Sequence, residues 1–401
     1  MFSTCNAAQR FFEGWYFKIA LPGEGQSFAF MYSVEDPTGS GQSGVGAQVM
    51  GPDDSYLIQY TRDISCFWAD KDSLALGASF KPTDARKKGS MPKEMMSEAQ
   101  FNDWVDQGFA MDTYWHQGSL VADESDAGGY LPSTVQTAKW AFSVRPIYGW
   151  GDSGSKQKST AGWMAALPVF EPHWQVLMAH GLASGWVEWE GKRYDFKDAP
   201  SYSEKNWGGG FPKKWFWITC NTFAEDKNVA VTAVGARRGL LQLPGVEEDV
   251  GMIGVHWQGK FIELVPWNGE VQWEVEPWGK WRVWAKSDEY EAVIEATSSS
   301  PGTALRAPTA TEGLAPACRD SFCGKVHMQI WQLDANNIRR GTPMLDVTSS
   351  SGAVEVGGGP WWSTWQADAR MREPLKSLIN VPIDVEGISR VVPPGMRPPG
   401  L

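Results

Sequence analysis

The sequence predicts an all-β protein built as two antiparallel β-barrels in tandem, with few short helices. Three observations carry this prediction. Apolar residues rarely recur at helical spacing, whereas short runs rich in Phe, Tyr, Val and Trp follow one another, bounded by Pro, Gly, Asp and Ser. Strands do not alternate with helices as they would in a parallel sheet. The 401 residues include 23 Trp against 10 Tyr, an aromatic content suited to walls of a binding cavity or to anchors between apolar and wet surroundings. The chain is too long for one small core, so two domains are expected, 1–200 and 201–401, the second ending in a Pro-rich tail.

The first strand-like runs fall at 14–20, 27–34, 44–50, 56–61 and 74–80. Residues 91–108 form the best candidate for a short helix, with Pro92 near its start and acidic residues in its first turns. Strands resume at 119–123, 138–145 and 174–178, and 185–196 read as a hairpin turning at Glu190-Gly191. Further strands are expected at 215–223, 229–236, 251–257, 260–266, 271–277, 281–286 and 290–297. The run Val255-His-Trp-Gln-Gly-Lys260 echoes Val187-Glu-Trp-Glu-Gly-Lys192, a weak repeat that fits two similar modules. Residues 297–317, rich in Ser, Thr, Pro and Ala, read as a loop, and 325–333 and 352–365 close the second module. From Glu373 a short amphipathic helix and an extended, Pro-rich end are expected, a candidate for docking on a membrane or lipid particle.

A net charge of −11 and the lack of a long basic run argue against nucleic acid as a partner. The five cysteines are odd in number and scattered, so neither a disulfide framework nor a zinc site is expected, and a reducing compartment is the default. No apolar run approaches the roughly 18–20 residues that span a bilayer. The N-terminus enters folded-looking sequence almost at once, with no targeting peptide visible.

The chemistry concentrates at 198–217, DAPSYSEKNWGGGFPKKWFW. Within five residues it sets a phenol (Tyr202), a carboxylate (Glu204), a cation (Lys205) and an amide (Asn206), followed by glycines and the aromatic run Trp215-Phe216-Trp217. The segment reads either as a charged surface loop or as an irregular stretch that aims side chains before a strand begins. Glu13, in an aromatic run, and Glu171 are further candidate carboxylates, and His116 and His173 are either hydrogen-bonded structural histidines or site residues. A carboxylic acid among indoles has its pKa raised by desolvation and donates a proton at neutral pH. Indole faces stabilise a developing carbocation. Acid and aromatic cage together are equipment for protonating an alkene.

Several of these segments carry a resemblance. Phe11-Phe-Glu-Gly-Trp-Tyr-Phe17, Phe30-Met-Tyr-Ser33, Arg145-Pro-Ile-Tyr-Gly-Trp-Gly151, Gln157-Lys-Ser-Thr-Ala-Gly-Trp163, Phe170-Glu-Pro-His-Trp-Gln175, Ala199-Pro-Ser-Tyr-Ser-Glu-Lys-Asn-Trp-Gly208 and Gly357-Gly-Gly-Pro-Trp361 together resemble the tocopherol cyclases of plants, algae and cyanobacteria. The similarity runs in order over nearly the whole chain. Plant members carry a transit peptide and a polar lead-in that are not seen here. The resemblance implies lipocalin-like barrels, and more distantly a kinship with carotenoid hydratases. It implies closure of the chromanol ring of 2-methyl-6-phytyl- and 2,3-dimethyl-6-phytyl-1,4-benzoquinol to δ- and γ-tocopherol. This chemistry is redox-neutral, with no cofactor and no metal expected. It also implies a chloroplast location, peripheral to plastoglobule or thylakoid lipid.

Carried over residue by residue, the resemblance makes Glu204 the acid, with Tyr202 beside it and His173 upstream, and either His173 or Tyr202 is a candidate to relay the phenolic proton to the carboxylate. Asn206 and Lys205 are then candidates for orienting the quinol or the acid. Trp174, Trp207, Trp215 and Trp217 become candidate cage walls, and Glu13 and His116 candidate substrate contacts. Two other readings share the barrel. A carotenoid or isoprenoid hydratase would give a product heavier by one water, and a non-catalytic prenyl-lipid carrier would need no acid. A Trp-rich carbohydrate binder is a further alternative, although paired catalytic carboxylates cannot be placed from sequence.

Overall fold

The computed structural model describes residues 11–37, 41–82, 92–105, 107–123, 132–162, 172–239, 245–373 and 376–377. Two antiparallel sheets of eleven strands each dominate it, the all-β architecture that the strand spacing predicts and that the resemblance implies to be lipocalin-like. The chain divides into two compact units. One is Met1–Ile147, His180–Phe211 and Thr303–Ala317; the other is Tyr148–Ala179, Pro212–Gly302 and Cys318–Leu401. The division is therefore interleaved along the sequence, and a boundary at 200/201 would cut through a continuous strand.

The first sheet contains β1 (Phe12–Leu21), β2 (Gln26–Glu35), β3 (Gly44–Met50), β4 (Tyr56–Thr61), β5 (Phe67–Ala69), β6 (Ala75–Ser79), β7 (Gly108–Asp112), β8 (Trp115–Val121), β9 (Thr137–Tyr148), β10 (His173–Trp189) and β11 (Lys192–Gly208). Its order is β4-β3-β2-β1-β11-β10-β9-β8-β7-β6-β5. A short α-helix, α1 (Glu98–Trp104), starts in a capping box between Ser97 and Gln100 and lies inside the predicted 91–108 segment. The sheet curls back so that β4 meets β8. The edge of β4 is covered: Tyr56 N donates to Thr134 Oγ1 (2.8 Å) and Ile58 N to Ser133 Oγ (3.0 Å). The β10–β11 turn is the predicted one, with Glu190 and Gly191 at φ 53° and 77°, the left-handed pair that a two-residue hairpin needs.

Rings from strands that are not neighbours in the sheet meet inside this unit. Phe17 of β1 meets His116 of β8 at 4.2 Å, Tyr32 of β2 stacks on Phe109 of β7 at 3.9 Å, and Phe30 of β2 meets Trp140 of β9 at 4.9 Å. Gly118 is required here, because a Cβ at that position would lie 2.1 Å from the Trp140 ring.

The second sheet contains β12 (Lys214–Cys220), β13 (Ala230–Gly239), β14 (Glu247–Trp257), β15 (Lys260–Leu264), β16 (Gly269–Val275), β17 (Lys280–Ser287), β18 (Tyr290–Thr297), β19 (Thr303–Thr309), β20 (Gly313–Gln332), β21 (Leu345–Gly358) and β22 (Trp365–Arg370). Its order is β15-β14-β13-β12-β21-β20-β18-β17-β16-β22, with β19 pairing β20. β22 returns against β14. The interior of the second unit is a continuous aliphatic and aromatic core, including Phe216, Ile218, Val231, Ile253, Trp273, Val283, Ile294, Met328 and Trp365.

The predicted loop 297–317 instead holds β19 and the start of β20. The Gln48 side chain fixes it by imitating a peptide. Its Nε2 donates to Arg306 O, and its Oε1 accepts from Arg306 N, both at 3.0 Å. Leu314 then seats over Gly46 of β3, so this hairpin lies on the outer face of the first unit's own sheet. The predicted Pro-rich tail lies outside the described residues apart from its first few.

Candidate active site

The segment expected to be an irregular loop is the last half of β11, and strand alternation decides what it does. β11 pairs antiparallel with β1, setting Lys18 opposite Tyr202, Tyr16 opposite Glu204, Gly14 opposite Asn206, Trp15 opposite Lys205 and Glu13 opposite Trp207. Side chains two apart share a face and adjacent ones oppose. Tyr202, Glu204 and Asn206 therefore share one face with Tyr16 and Lys18. Lys205 and Trp207 share the other with Glu13, Trp15 and Phe17. The second face is the interior, as the Phe17–His116 contact shows. The sequence cluster Tyr202–Trp207 is thus two clusters back to back.

On the outer face Glu204 is 8% exposed and Tyr202 1%. Tyr202 Oη donates to Glu204 Oε2 at 2.6 Å, and Asn206 Nδ2 donates to Glu204 Oε1 at 3.1 Å. Each oxygen is thereby fixed from one side, which holds the carboxyl plane still. The Tyr16 ring stands edge-on to Tyr202 at 6.4 Å. Gly14 leaves the strip opposite Asn206 without a side chain, and the nearest atom to a Cβ there would be 3.8 Å away. Tyr16 and Lys18 were missed by the sequence reading; the signal was their i, i+2 spacing within the Glu13–Lys18 run. The arrangement offers one buried carboxyl with one phenol in proton-transfer distance, flanked by two phenol rings.

On the interior face Lys205 Nζ lies 2.9 Å from Glu13 Oε2, with the carboxylate side chain only 2% exposed. The ammonium also sits 5.3 Å from the ring centroids of both Trp15 and Trp207. His116 stacks on Phe142 at 4.8 Å, and burial pushes its imidazole down to about 3, so it is neutral.

The remaining expected site residues belong to the second unit. His173 opens β10 and is buried; desolvation, reinforced by the Arg238 charge, brings it down to about 4. Trp174 stands edge-on to Trp150 at 6.0 Å. Trp215 and Trp217 occupy the face of β12 opposite the core residue Phe216, and Trp215 Nε1 donates to Glu355 Oε1. Glu171 lies outside the described residues. Among the described residues no group of three or more His, Cys, Asp or Glu is placed to hold a metal ion.

The neutral histidines set an acid limit. The unfolded chain binds protons on histidine near pH 6.5, whereas folded His116 resists until about 3, so the unfolded state gains protons first and stability falls as pH drops below 6.5. His116 alone contributes about 1.4 kcal/mol per pH unit to that slope. Urea midpoints at pH 7, 6 and 5 are expected to fall, and less steeply in His116→Phe.

A family model described as tocopherol cyclase-like matches residues 9–358. A protein of Oryza sativa subsp. japonica named "Probable tocopherol cyclase, chloroplastic" is 46% identical over 99% of this chain and 85% of its own length. The "Tocopherol cyclase, chloroplastic" of Zea mays is 44% identical over 99% of this chain and 84% of its own. Among solved structures, kievitone hydratase from Nectria haematococca aligns with a TM-score of 0.44 at 9% identity, covering 87% of this chain and 89% of that one. With buried Glu204 held on β11 and this similarity running nearly end to end, the chain belongs to the tocopherol cyclase-like family.

Proposed function

We propose that this protein is an enzyme that closes the chromanol ring of phytyl-benzoquinols, converting 2,3-dimethyl-6-phytyl-1,4-benzoquinol to γ-tocopherol and the 2-methyl analogue to δ-tocopherol. The observation that carries the residue assignment is the buried Tyr202–Glu204–Asn206 row. Glu204, as the acid, gives its proton to the ring-proximal carbon of the prenyl double bond. The cation forms on the tertiary carbon, and the neighbouring quinol oxygen attacks it, making the C–O bond. The phenolic proton returns to the Glu204 carboxylate directly or through Tyr202, 2.6 Å away, so acid is regenerated and no electrons are exchanged. Asn206 holds the carboxyl plane during both transfers, and the Tyr16 and Tyr202 rings face the developing charge. Positioning of oxygen against cation supplies most of the remaining acceleration. Water must be kept out, since it would trap the cation as an alcohol.

Glu13 is not assigned this role, because its carboxylate is already neutralised by Lys205. The plant relatives are named chloroplastic, and the same compartment is assigned here, with peripheral binding to plastoglobule or thylakoid lipid. No helix among the described residues is long and apolar enough to cross a membrane.

The test is turnover of the reduced quinol in D₂O. Cyclisation by alkene protonation places one solvent deuterium on carbon, so the chromanol is one mass unit heavier than in H₂O and of a single configuration. A product heavier by one water would move the chain to the hydratases. Bound but unconverted quinol would leave a carrier.

A further inference from the structure

The interior of the first unit holds more unsatisfied polarity than packing requires. Trp15 Nε1, Tyr32 Oη, Gln59 Oε1, His116 Nδ1 and Trp140 Nε1 are buried and have no hydrogen-bond partner among the described residues. All five side chains point to one space. Trp15, Tyr32 and Gln59 lie in one row across β1, β2, β3 and β4, through the pairs Trp15–Tyr32, Tyr32–Ala47 and Ala47–Gln59. His116 and Trp140 face them from β8 and β9: the His116 ring is 6.4 Å from Tyr32, and Trp140 packs on Phe30. The Trp140 indole opposes the upward push of burial on the Tyr32 phenol, so these two groups act on each other without meeting full hydrogen-bond geometry. Leaving one such group unsatisfied costs about 1–3 kcal/mol, so five together in one place mark a site that something polar fills.

We propose that this interior is a second binding site, separate from the Glu204 face, for a neutral flat ring bearing two oxygens, of the phenol, chromanol or quinone type. The lining defines the class. Two indole N–H groups and the Tyr32 hydroxyl donate to ligand oxygens, and Gln59 Oε1 accepts from a ligand hydroxyl. Phe17, Phe109 and Phe142 provide ring faces and edges around them. The lining carries no unbalanced charge to hold an ion: His116 is neutral, and Glu13 and Lys205 are paired with each other. A curled sheet that closes over about eight strands has an interior that can hold one small ligand. The second unit differs in degree: its core is mostly aliphatic and aromatic, and the unpartnered polar atoms of that core, among the described residues, are the indole N–H groups of Trp273 and Trp365, with no hydroxyl, amide or imidazole side chain among its buried residues. A non-catalytic chromanol or quinone site beside a ring-closing face would let the enzyme retain product or sense the quinone pool.

The experiment uses the full chain and 2,2,5,7,8-pentamethylchroman-6-ol, a chromanol with no prenyl alkene and therefore no turnover. Binding is read by equilibrium dialysis for wild type, Glu204→Gln, Tyr32→Phe and Gln59→Leu, each checked for an unchanged near-UV CD spectrum. Wild type and Glu204→Gln are expected to bind alike, and Tyr32→Phe and Gln59→Leu to bind about 5–10-fold more weakly, one hydrogen bond each. If only Tyr32→Phe unfolds, Gln59→Leu still decides. Unaltered binding in the folded interior variants, loss of binding in Glu204→Gln alone, or no binding to wild type would each overturn the proposal, leaving water as the interior partner. The interior variants decide the proposal whether or not the protein cyclises quinols, because binding of this product analogue at the Glu204 face alone would leave Tyr32→Phe and Gln59→Leu unaltered.

Discussion

Glu204→Gln is expected to lower the rate of ring closure by roughly 10³-fold, about 4 kcal/mol of barrier, while substrate binding changes by less than a few-fold. The amide matches the carboxyl in volume and keeps one oxygen to accept from Tyr202 or Asn206, so the row survives in outline. It has no acidic proton to give an alkene, so only the chemical step is lost. Single-turnover kinetics separate this from weakened binding, because the loss must appear in the rate at saturating quinol. Two companions make the assignment sharper. Glu204→Asp retains the acid but withdraws it by one methylene, and an intermediate loss of about 10–10²-fold is expected from misplacement. Tyr202→Phe removes the donor 2.6 Å from Oε2 and keeps the ring, so a smaller loss with an altered pH profile is expected. A Glu204→Gln enzyme that closes the ring at the wild-type rate would take the acid away from β11 altogether.

Local patterns made much of the fold readable. β3 and β4 match the predicted runs 44–50 and 56–61, and β18 matches 290–297, because Gly, Pro, Asp and Ser mark their ends. Both tight hairpins were visible as a residue-Gly pair: Glu190-Gly191 and Gln258-Gly259 each have two positive φ angles. Long-range pairing was not visible. Residues 198–206 look like a loop in isolation, being short, polar and led by Pro200, and become strand because β1 supplies hydrogen-bond partners from Ile19 to Phe12. The same pairing made the site only half legible. The residue types were right, but spacing in sequence hides which of two neighbours points inward, and Glu204 and Lys205 serve different faces. β19 was hidden for a related reason. Its Ser, Thr and Pro content says loop, and what orders it is the Gln48 amide, 258 residues away in sequence.

The Glu13–Lys205 pair gives the largest stability effect expected, and an uneven one. Lys205→Met leaves a carboxylate that is 2% exposed facing apolar rings with its cation gone, and should cost about 3–5 kcal/mol. Glu13→Leu leaves an ammonium that is 17% exposed and still 5.3 Å from two indole faces, so it keeps part of its stabilisation and should cost less. The double variant Glu13→Leu/Lys205→Met removes both charges and fills the space with apolar side chains of similar size, which is close to neutral for many buried pairs. Thermal melts are therefore expected to rank wild type and the double variant together at the top, Glu13→Leu below them, and Lys205→Met lowest, by roughly 6–12 °C if about 3 kcal/mol is lost. The cycle also speaks to catalysis. Because the double variant is folded without Glu13, its ring-closing rate tests whether that carboxylate carries the proton. Turnover within a few-fold of wild type is expected if the acid is on the opposite face of the same two strands. Loss of turnover in a folded double variant would place the chemistry inside the barrel and reduce the Tyr202–Glu204–Asn206 row to a buried structural contact.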